Sequence, residues 1–380
     1  MDIKELRSII DETDNEICDL FKKRMDAAYK IAQYKMEHDL PVLAPVRERE
    51  ILSRLSVRAG DELETYVRTL YNTIFDLSRS YQTRLMGKEG ESYKKILETA
   101  ENTEKVFPKR ATVACQGREG AYSQLAAERL FSSPAIVYNY TFEGVFKAVE
   151  SGLCEFGVLP LENSTAGSVN AVYDLLIKHD VSIVRSVRIK VAHSLLALPG
   201  AKLSEITRIY SHEQAISQCS SFLSTLKGVS VIPFANTAAA AEAVSQSQDK
   251  KCAAISSRFC AELYGLQTLS ESVQNQDNNY TRFICFTKKP RIYPGADRTS
   301  FMIVIPNKAG SLFRVLSKFN AIGINMLKLE SRPIPERDFE SMFYFDVEES
   351  VNSPEFAELI AELESSCEKF KYLGSYSEIV

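Results

Sequence analysis

Apolar residues recur seven apart along the opening stretch of the chain, and one place in that column is taken by an arginine. Ile3, Ile10, Ile17, Arg24 and Ile31 form one column, and Leu6, Thr13, Leu20, Ala27 and Tyr34 form the next. A sustained heptad commits the segment to a long helix whose seam wants a partner. Pro41 ends that helix, and Pro45 opens a second over Pro45–Ala59, which Gly60 closes. Asp61 and Glu64 make a capping pair for a third helix over about 61–85, with the stripe Leu63, Val67, Leu70, Ile74, Leu77 and Tyr81. The N-terminal region therefore reads as all-helical.

The periodicity then changes twice. Residues 111–288 alternate short apolar runs (ATVAC, FGVLPLE, CAAIS, FICF) with amphipathic segments, the pattern of an α/β domain with two lobes and a cleft. Residues 298–380 follow the order βαββαβ, which implies an antiparallel, ferredoxin-like α+β sheet with helices on one face. A polar stretch over 86–110 and the breakers Pro290, Pro294 and Gly295 separate the regions. The expected domains are thus 1–90, 111–288 and 298–380, with a linker over 91–110.

Charge and cysteine usage narrow the function. Forty-six basic against fifty acidic residues leave a net charge of −4, which argues against nucleic acid as a partner. No apolar run approaches the roughly 18 residues of a membrane span, and the acidic start is unlike a signal peptide, so a cytoplasmic protein without membrane attachment is expected. The eight cysteines form no CxxC pair and read as free thiols, and the four histidines have no ligand spacing. No metal is expected, and without GxGxxG or a Walker lysine motif no cofactor either.

Against that background the cations of the first region stand out. Arg24 occupies a seam place that packing would fill with an aliphatic residue, and Lys35 follows on the same face, roughly 16 Å along the axis. Two long cations on one face point to a small, multiply anionic ligand. Arg7 lies about 25 Å from Arg24 along the helix and cannot join that site from the same chain, whereas an antiparallel helix of a second copy would bring it there. Arg47 and Glu48 open the second helix, and Ser78 and Gln82 sit at i, i+4 on the third. The competing reading is a set of solvated charges snorkelling over the stripe.

The order LRxxID, D, LxxxR, K, then PVxxxVRERE, then SxxxQ resembles the all-helical class of chorismate mutase over residues 1–90. The resemblance implies that Arg24, Lys35 and Arg47 hold two substrate carboxylates, with Arg7 supplied by a partner chain. It implies that Lys35 and Gln82 are catalytic donors, that Glu48 holds the substrate hydroxyl and that Ser78 assists at a carboxylate. Ala44 departs from the pattern, since some relatives carry an acid there. The reaction, chorismate to prephenate, is a unimolecular [3,3] rearrangement that needs a folded conformer and donors at the ether oxygen.

The central region places small polar groups at strand ends: Glu162, Asn163, Ser164 and Thr165; Ser211 and His212; Asn236 and Thr237; then Thr281, Arg282 and Phe283. Singly, each could be a helix cap. Together, GREGAYS, GVLPLENSTAGSV, SHEQAISQC and TRF resemble prephenate dehydratase across roughly 111–288, a two-lobed α/β fold akin to periplasmic binding proteins. The resemblance implies that Thr281 delivers a proton to the departing ring hydroxyl, with Glu162 as a further catalytic group. Asn163, Ser164, Ser211, Gln218 and Arg282 would then bind prephenate, and His212 would be structural.

In the last region Asn307–Gly310 form a turn feeding a helix, where free backbone N–H groups suit a carboxylate. Gly310, Ser311, Leu312 and Phe313 resemble the GALV element, and Glu330, Ser331, Arg332 and Pro333 the ESRP element, of the ACT domain attached to dehydratases. The resemblance implies an allosteric phenylalanine site between paired ACT domains in a homodimer or higher homo-oligomer. The whole chain is similar to fused chorismate mutase–prephenate dehydratases of phenylalanine biosynthesis. Two alternatives stay open: a dehydratase whose mutase region serves only dimerisation, and a non-catalytic amino-acid sensor. Such a sensor need not keep Thr281 or the helical cations.

Overall fold

A computed structural model of the chain describes residues 2–38, 40–85, 90–334 and 340–380. It divides into two compact units, Met1–Glu98 with Ile303–Lys371, and Thr99–Met302 with Tyr372–Val380.

Four helices open the chain: α1 (Ile3–Glu37), α2 (Pro45–Ala59), α3 (Glu64–Leu85) and α4 (Glu91–Asn102). The Asp2 N–H donates to the Glu5 carboxylate at 3.0 Å and starts α1, while Pro45 starts α2 where its missing N–H costs nothing. The third helix begins later than expected, because Asp61–Leu63 form a turn rather than helix. Its buried face is also offset by one residue from the predicted stripe. Phe75, Ser78 and Gln82 are buried while Leu63 and Leu70 are exposed. Two of the three most buried positions are polar, which an apolar-periodicity argument passes over.

The heptad column of α1 is largely bare in its own chain. Ile3, Ile10, Ile17 and Leu20 are exposed, whereas Ala28 and Ala32 are buried and Phe21, Arg24, Met25 and Lys35 half-buried. Arg24 and Lys35 therefore lie on the face that packs against α3, and the aliphatic seam faces elsewhere. Of the stretch 91–110, expected as a linker with some helical character, Glu91–Asn102 form a packed helix, α4. Tyr93 and Ile96 are buried in it, and the Tyr93 ring lies 6.1 Å from that of Phe356. Residues 86–89, before it, lie outside the described residues.

The second unit holds two sheets. The first lobe takes β1 (Arg110–Gln116), β2 (Ser133–Asn139), β3 (Phe156–Asn163), β4 (Gly167–Ser168) and β5 (Ser182–Lys190). The chain then crosses over and builds the second lobe from β6 (Ser194–Ala197), β7 (Arg208–Ser211), β8 (Ser230–Pro233), β9 (Cys252–Ser256) and β10 (Gln267–Ser270). It returns as β11 (Tyr280–Thr287), which enters the first sheet antiparallel between β5 and β3. The order in the second sheet is β10-β6-β9-β7-β8. Each lobe has its own core, Phe131, Phe156, Val158 and Phe283 in the first, Leu195, Ile209 and Ile255 in the second. At Gly157 a Cβ would come within 2.5 Å of the Phe286 ring, so only glycine lets β3 and β11 close there.

The remaining strands are β12 (Arg298–Val304), β13 (Asn325–Pro333), β14 (Ser341–Glu348) and β15 (Lys369–Ile379). Helices Ser311–Ile322 and Pro354–Ser366 complete the order βαββαβ, and β13 pairs antiparallel with β14. Residues 338 and 339, expected to start the third of these strands, lie outside the described residues. The end of β15 joins the first lobe, Ser377–Ile379 lying parallel to β5.

Candidate functional site

In the helical region, α1 and α3 bring Arg24 onto Ser78, whose hydroxyl accepts from Nη1, with the guanidinium 5.6 Å from the Phe75 ring centre. Lys35 Nζ donates to the Val42 carbonyl at 2.5 Å in the turn before α2. Burial holds the Arg24 and Lys35 pKa values below their ordinary ones, and the Glu48 charge works against that in both. Gln82 Nε2 donates to the Ser78 carbonyl at 3.1 Å, and its Oε1 is buried with no partner among the described residues.

The cage is nevertheless incomplete in one chain. Arg47 points to solvent and pairs with Glu50 at 3.0 Å, and Arg7 lies on the uncovered half of α1. Glu48 is already engaged: Arg79 donates to it and also to Asp76. Arg79 was missed from the sequence, where it reads as one more charge on an amphipathic helix. Its position one residue after Ser78 was the available signal.

In the second unit the registers Asn163↔Thr281 and Glu162↔Arg282 decide which groups meet. Neighbouring residues of a strand point to opposite faces. On one face Asn163 Nδ2 donates to Thr281 Oγ1 at 2.9 Å and to Asn279 Oδ1 at 2.7 Å, and Thr165 and Gln218 join at 2.7 and 3.2 Å. One step along the register Arg282 Nε lies 2.8 Å from Glu162 Oε1, and both line a cavity of about 510 Å³ with Asn163, Arg188 and Tyr280. Asn163, the partner of Thr281, thus lines the same cavity as Glu162 and Arg282.

Two other expected ligands are occupied within the fold. The Ser211 hydroxyl is fully buried and donates to the Ile255 carbonyl at 2.7 Å, and Ser164 donates to the Asn278 carbonyl at 2.9 Å. Asn236 caps a helix through the Ala239 N–H at 2.7 Å, and His212 caps the helix Glu213–Gln218. The GREGAYS segment braces the lobes: Cys260 Sγ lies 3.4 Å from the Gly120 carbonyl, and the Tyr122 hydroxyl donates to Ala192 at 2.7 Å. His193, which sequence spacing did not single out, lies buried with Nε2 3.0 Å from Gln218 Oε1.

In the last region Gly310 is left-handed (φ +80°) before the helix Ser311–Ile322, and the buried Ser311 hydroxyl accepts from Arg314 at 3.0 Å. Leu312 is half-buried and Phe313 exposed. Glu330, Ser331 and Arg332 lie on β13, opposite Tyr344, Phe343 and Met342 of β14. In the sheet β14 stands between β13 and β12, the strand that leads to Gly310. Among the described residues no cluster of metal-ligating side chains occurs, and no helix is long and apolar enough to cross a membrane.

Residues 6–83 match the chorismate mutase type II family and residues 113–291 the prephenate dehydratase family. A bifunctional chorismate mutase/prephenate dehydratase from Enterobacter agglomerans is 31% identical over 379 residues, covering 98% of this chain and 95% of that one. One from Aquifex aeolicus is 30% identical over 380 residues, with 99% and 98% covered. A prephenate dehydratase from Arthrobacter aurescens, solved with L-Phe, is 26% identical with a TM-score of 0.64, covering 70% of this chain and 90% of that one. Fold and site together define a helical mutase-type domain joined to a two-lobed dehydratase-type domain. The chain belongs to the family of bifunctional chorismate mutase/prephenate dehydratases.

Proposed function

We propose that this chain rearranges chorismate to prephenate in its helical region, then decarboxylates and dehydrates prephenate to phenylpyruvate in the cleft of its two-lobed domain. The observation that carries the first activity is that Arg24, against Ser78 of α3, and Lys35, beside the turn before α2, are both half-buried. Cations held in a partly desolvated pocket grip the two carboxylates and fold the substrate. Lys35 and Gln82 then meet the charge that develops at the ether oxygen, so no acid, base or nucleophile is required. Arg47 swings in from Glu50, since an exposed pair of that kind is worth little.

Arg7 comes from a second copy, and the bare aliphatic seam of α1 is the surface that copy covers. In the cleft, Thr281 gives its proton to the ring hydroxyl as the C–O bond breaks. The electrons of the bond to the departing CO2 complete the aromatic ring, the hydroxyl leaves as water, and a proton taken up from solvent restores the threonine. The βαββαβ region is an ACT domain that binds phenylalanine at Gly310–Phe313 and Glu330–Arg332. The end product then favours a less active arrangement. The L-Phe complex of the Arthrobacter aurescens dehydratase supports that choice of ligand.

The test is direct. Purified protein is fed chorismate, with and without phenylalanine, while chorismate loss and phenylpyruvate gain are both followed. Arg24→Ala and Lys35→Ala are expected to lose the first reaction and keep the second, and Thr281→Ala the reverse. Full phenylpyruvate formation from prephenate by Thr281→Ala would remove the threonine from the mechanism.

A further inference from the structure

The hydroxyl proton of Thr281 can serve a substrate only if nothing in the protein takes it, and the bonding around Asn163 decides that. The N–H groups of Thr165 and Ala166 both point at one amide atom of Asn163, at 3.0 and 2.8 Å. Backbone N–H groups only donate, so that atom is the oxygen. The amide nitrogen then faces Asn279 Oδ1 at 2.7 Å, Thr281 Oγ1 at 2.9 Å and the Tyr280 carbonyl at 3.2 Å, and its two hydrogens go to the two nearer acceptors. Thr281 accepts from Asn163, and its own hydrogen is left over.

The same polarity runs backwards through the cleft. Thr165 Oγ1 lies 2.7 Å from Asn163 Oδ1 and must donate to it. Its lone pairs are then open to Gln218 Nε2 at 3.2 Å, which turns Gln218 Oε1 toward His193 Nε2 at 3.0 Å. His193 must carry its proton on Nε2. Its Nδ1, an acceptor in that tautomer, is buried with no partner among the described residues. Burial also holds the ring below its ordinary pKa and so neutral.

Resting on the dehydratase reading of this cleft, we infer that His193 and Thr165 are positioning residues for the dehydration step. They anchor a one-way hydrogen-bond chain, His193 to Gln218 to Thr165 to Asn163 to Thr281, that keeps the threonine proton aimed at the leaving hydroxyl. Asn163 belongs to this chain and acts through Thr281. The lobes meet in it, since Gln218 stands on the second lobe and Thr165 follows β3 of the first.

The experiment uses the full-length protein with prephenate as substrate. Asn163→Asp puts an acceptor where the donor stood and captures the Thr281 proton, and kcat is expected to fall at least about 100-fold with KM changed little. Thr165→Val is expected to lower kcat about tenfold, with Thr165→Ser restoring it. In the unaltered protein, nitrogen NMR of the imidazoles is expected to show His193 as the Nε2–H tautomer through neutral pH. Near-normal kcat in Asn163→Asp and Thr165→Val, or an Nδ1–H signature at His193, overturns the chain. If Thr281→Ala alone stays active, the reading of the cleft fails instead.

Discussion

Arg79 on α3 closes onto Glu48 on α2, and its second nitrogen holds Asp76 one turn back on its own helix. Glu48 is the carboxylate assigned to the substrate hydroxyl, so its direction is set by an arginine outside the expected cage. Both partners are about a quarter exposed, which leaves solvent screening modest. Arg79→Met is expected to lower mutase kcat/KM about tenfold, mostly through KM, with Arg79→Lys recovering part of it. Steady-state assays on chorismate measure this, and unchanged kinetics would mean that Glu48 needs no holder.

Arg282 and Thr281 are neighbours with opposite fates. Arg282 is 5% exposed and spends its guanidinium on Glu162, whereas Thr281 meets Asn163. Arg282→Met is expected to cost about 2 kcal/mol of stability, because Glu162 loses its counter-ion, while dehydratase kcat stays within about threefold. Thr281→Ala is expected to do the opposite, losing at least about 100-fold in kcat with an unchanged unfolding midpoint. Thermal melts and prephenate turnover on both variants decide it.

His193 makes the second unit sensitive to acid. Its folded pKa lies below the free value of 6.5 because burial penalises the charged ring. As pH falls through about 6.5 the unfolded chain takes up a proton that the folded chain refuses, so stability drops, levelling once pH is under the folded value. Denaturant midpoints for the dehydratase region are expected to fall between pH 7.5 and 5.5, and His193→Gln to flatten the decline. An equal slope in that variant assigns the effect elsewhere.

The uncovered seam of α1 carries the fourth prediction. Ile10 and Ile17 are each 58% exposed on a helix of 35 residues. Ile10→Glu with Ile17→Glu is expected to shift the protein to a smaller species in sedimentation and to abolish mutase activity, because Arg7 no longer reaches a neighbour's pocket. Dehydratase activity should persist. A doubly substituted protein that keeps its size would show that this seam joins no second copy.

Much of the architecture was legible in sequence, for local reasons. Pro45, the run FGVLPLE and each single element of the βαββαβ region state their structure within a dozen residues or so. What was illegible depended on facing. Arg24 and Lys35 could be placed on one side of α1, but which side meets α3 is settled by Ala28, Ala32, Ser78 and Gln82 together. Likewise Glu162 and Asn163 sit side by side in one motif, and only the register with β11 shows that one meets Arg282 and the other Thr281. Segment 91–102 read as linker because its polar face dominates its composition, while the burial of Tyr93 and Ile96 depends on Phe356, far along the chain.

Six of the eight thiols are buried, Cys367 is half-buried, and Cys18 stands in the open beside Ile17. The molecule thereby carries its own reporter. A maleimide dye should mark the native protein at that one place first, and the speed of marking should slow when the neighbouring aliphatic ridge is covered, giving a reading of assembly at concentrations too low for sedimentation.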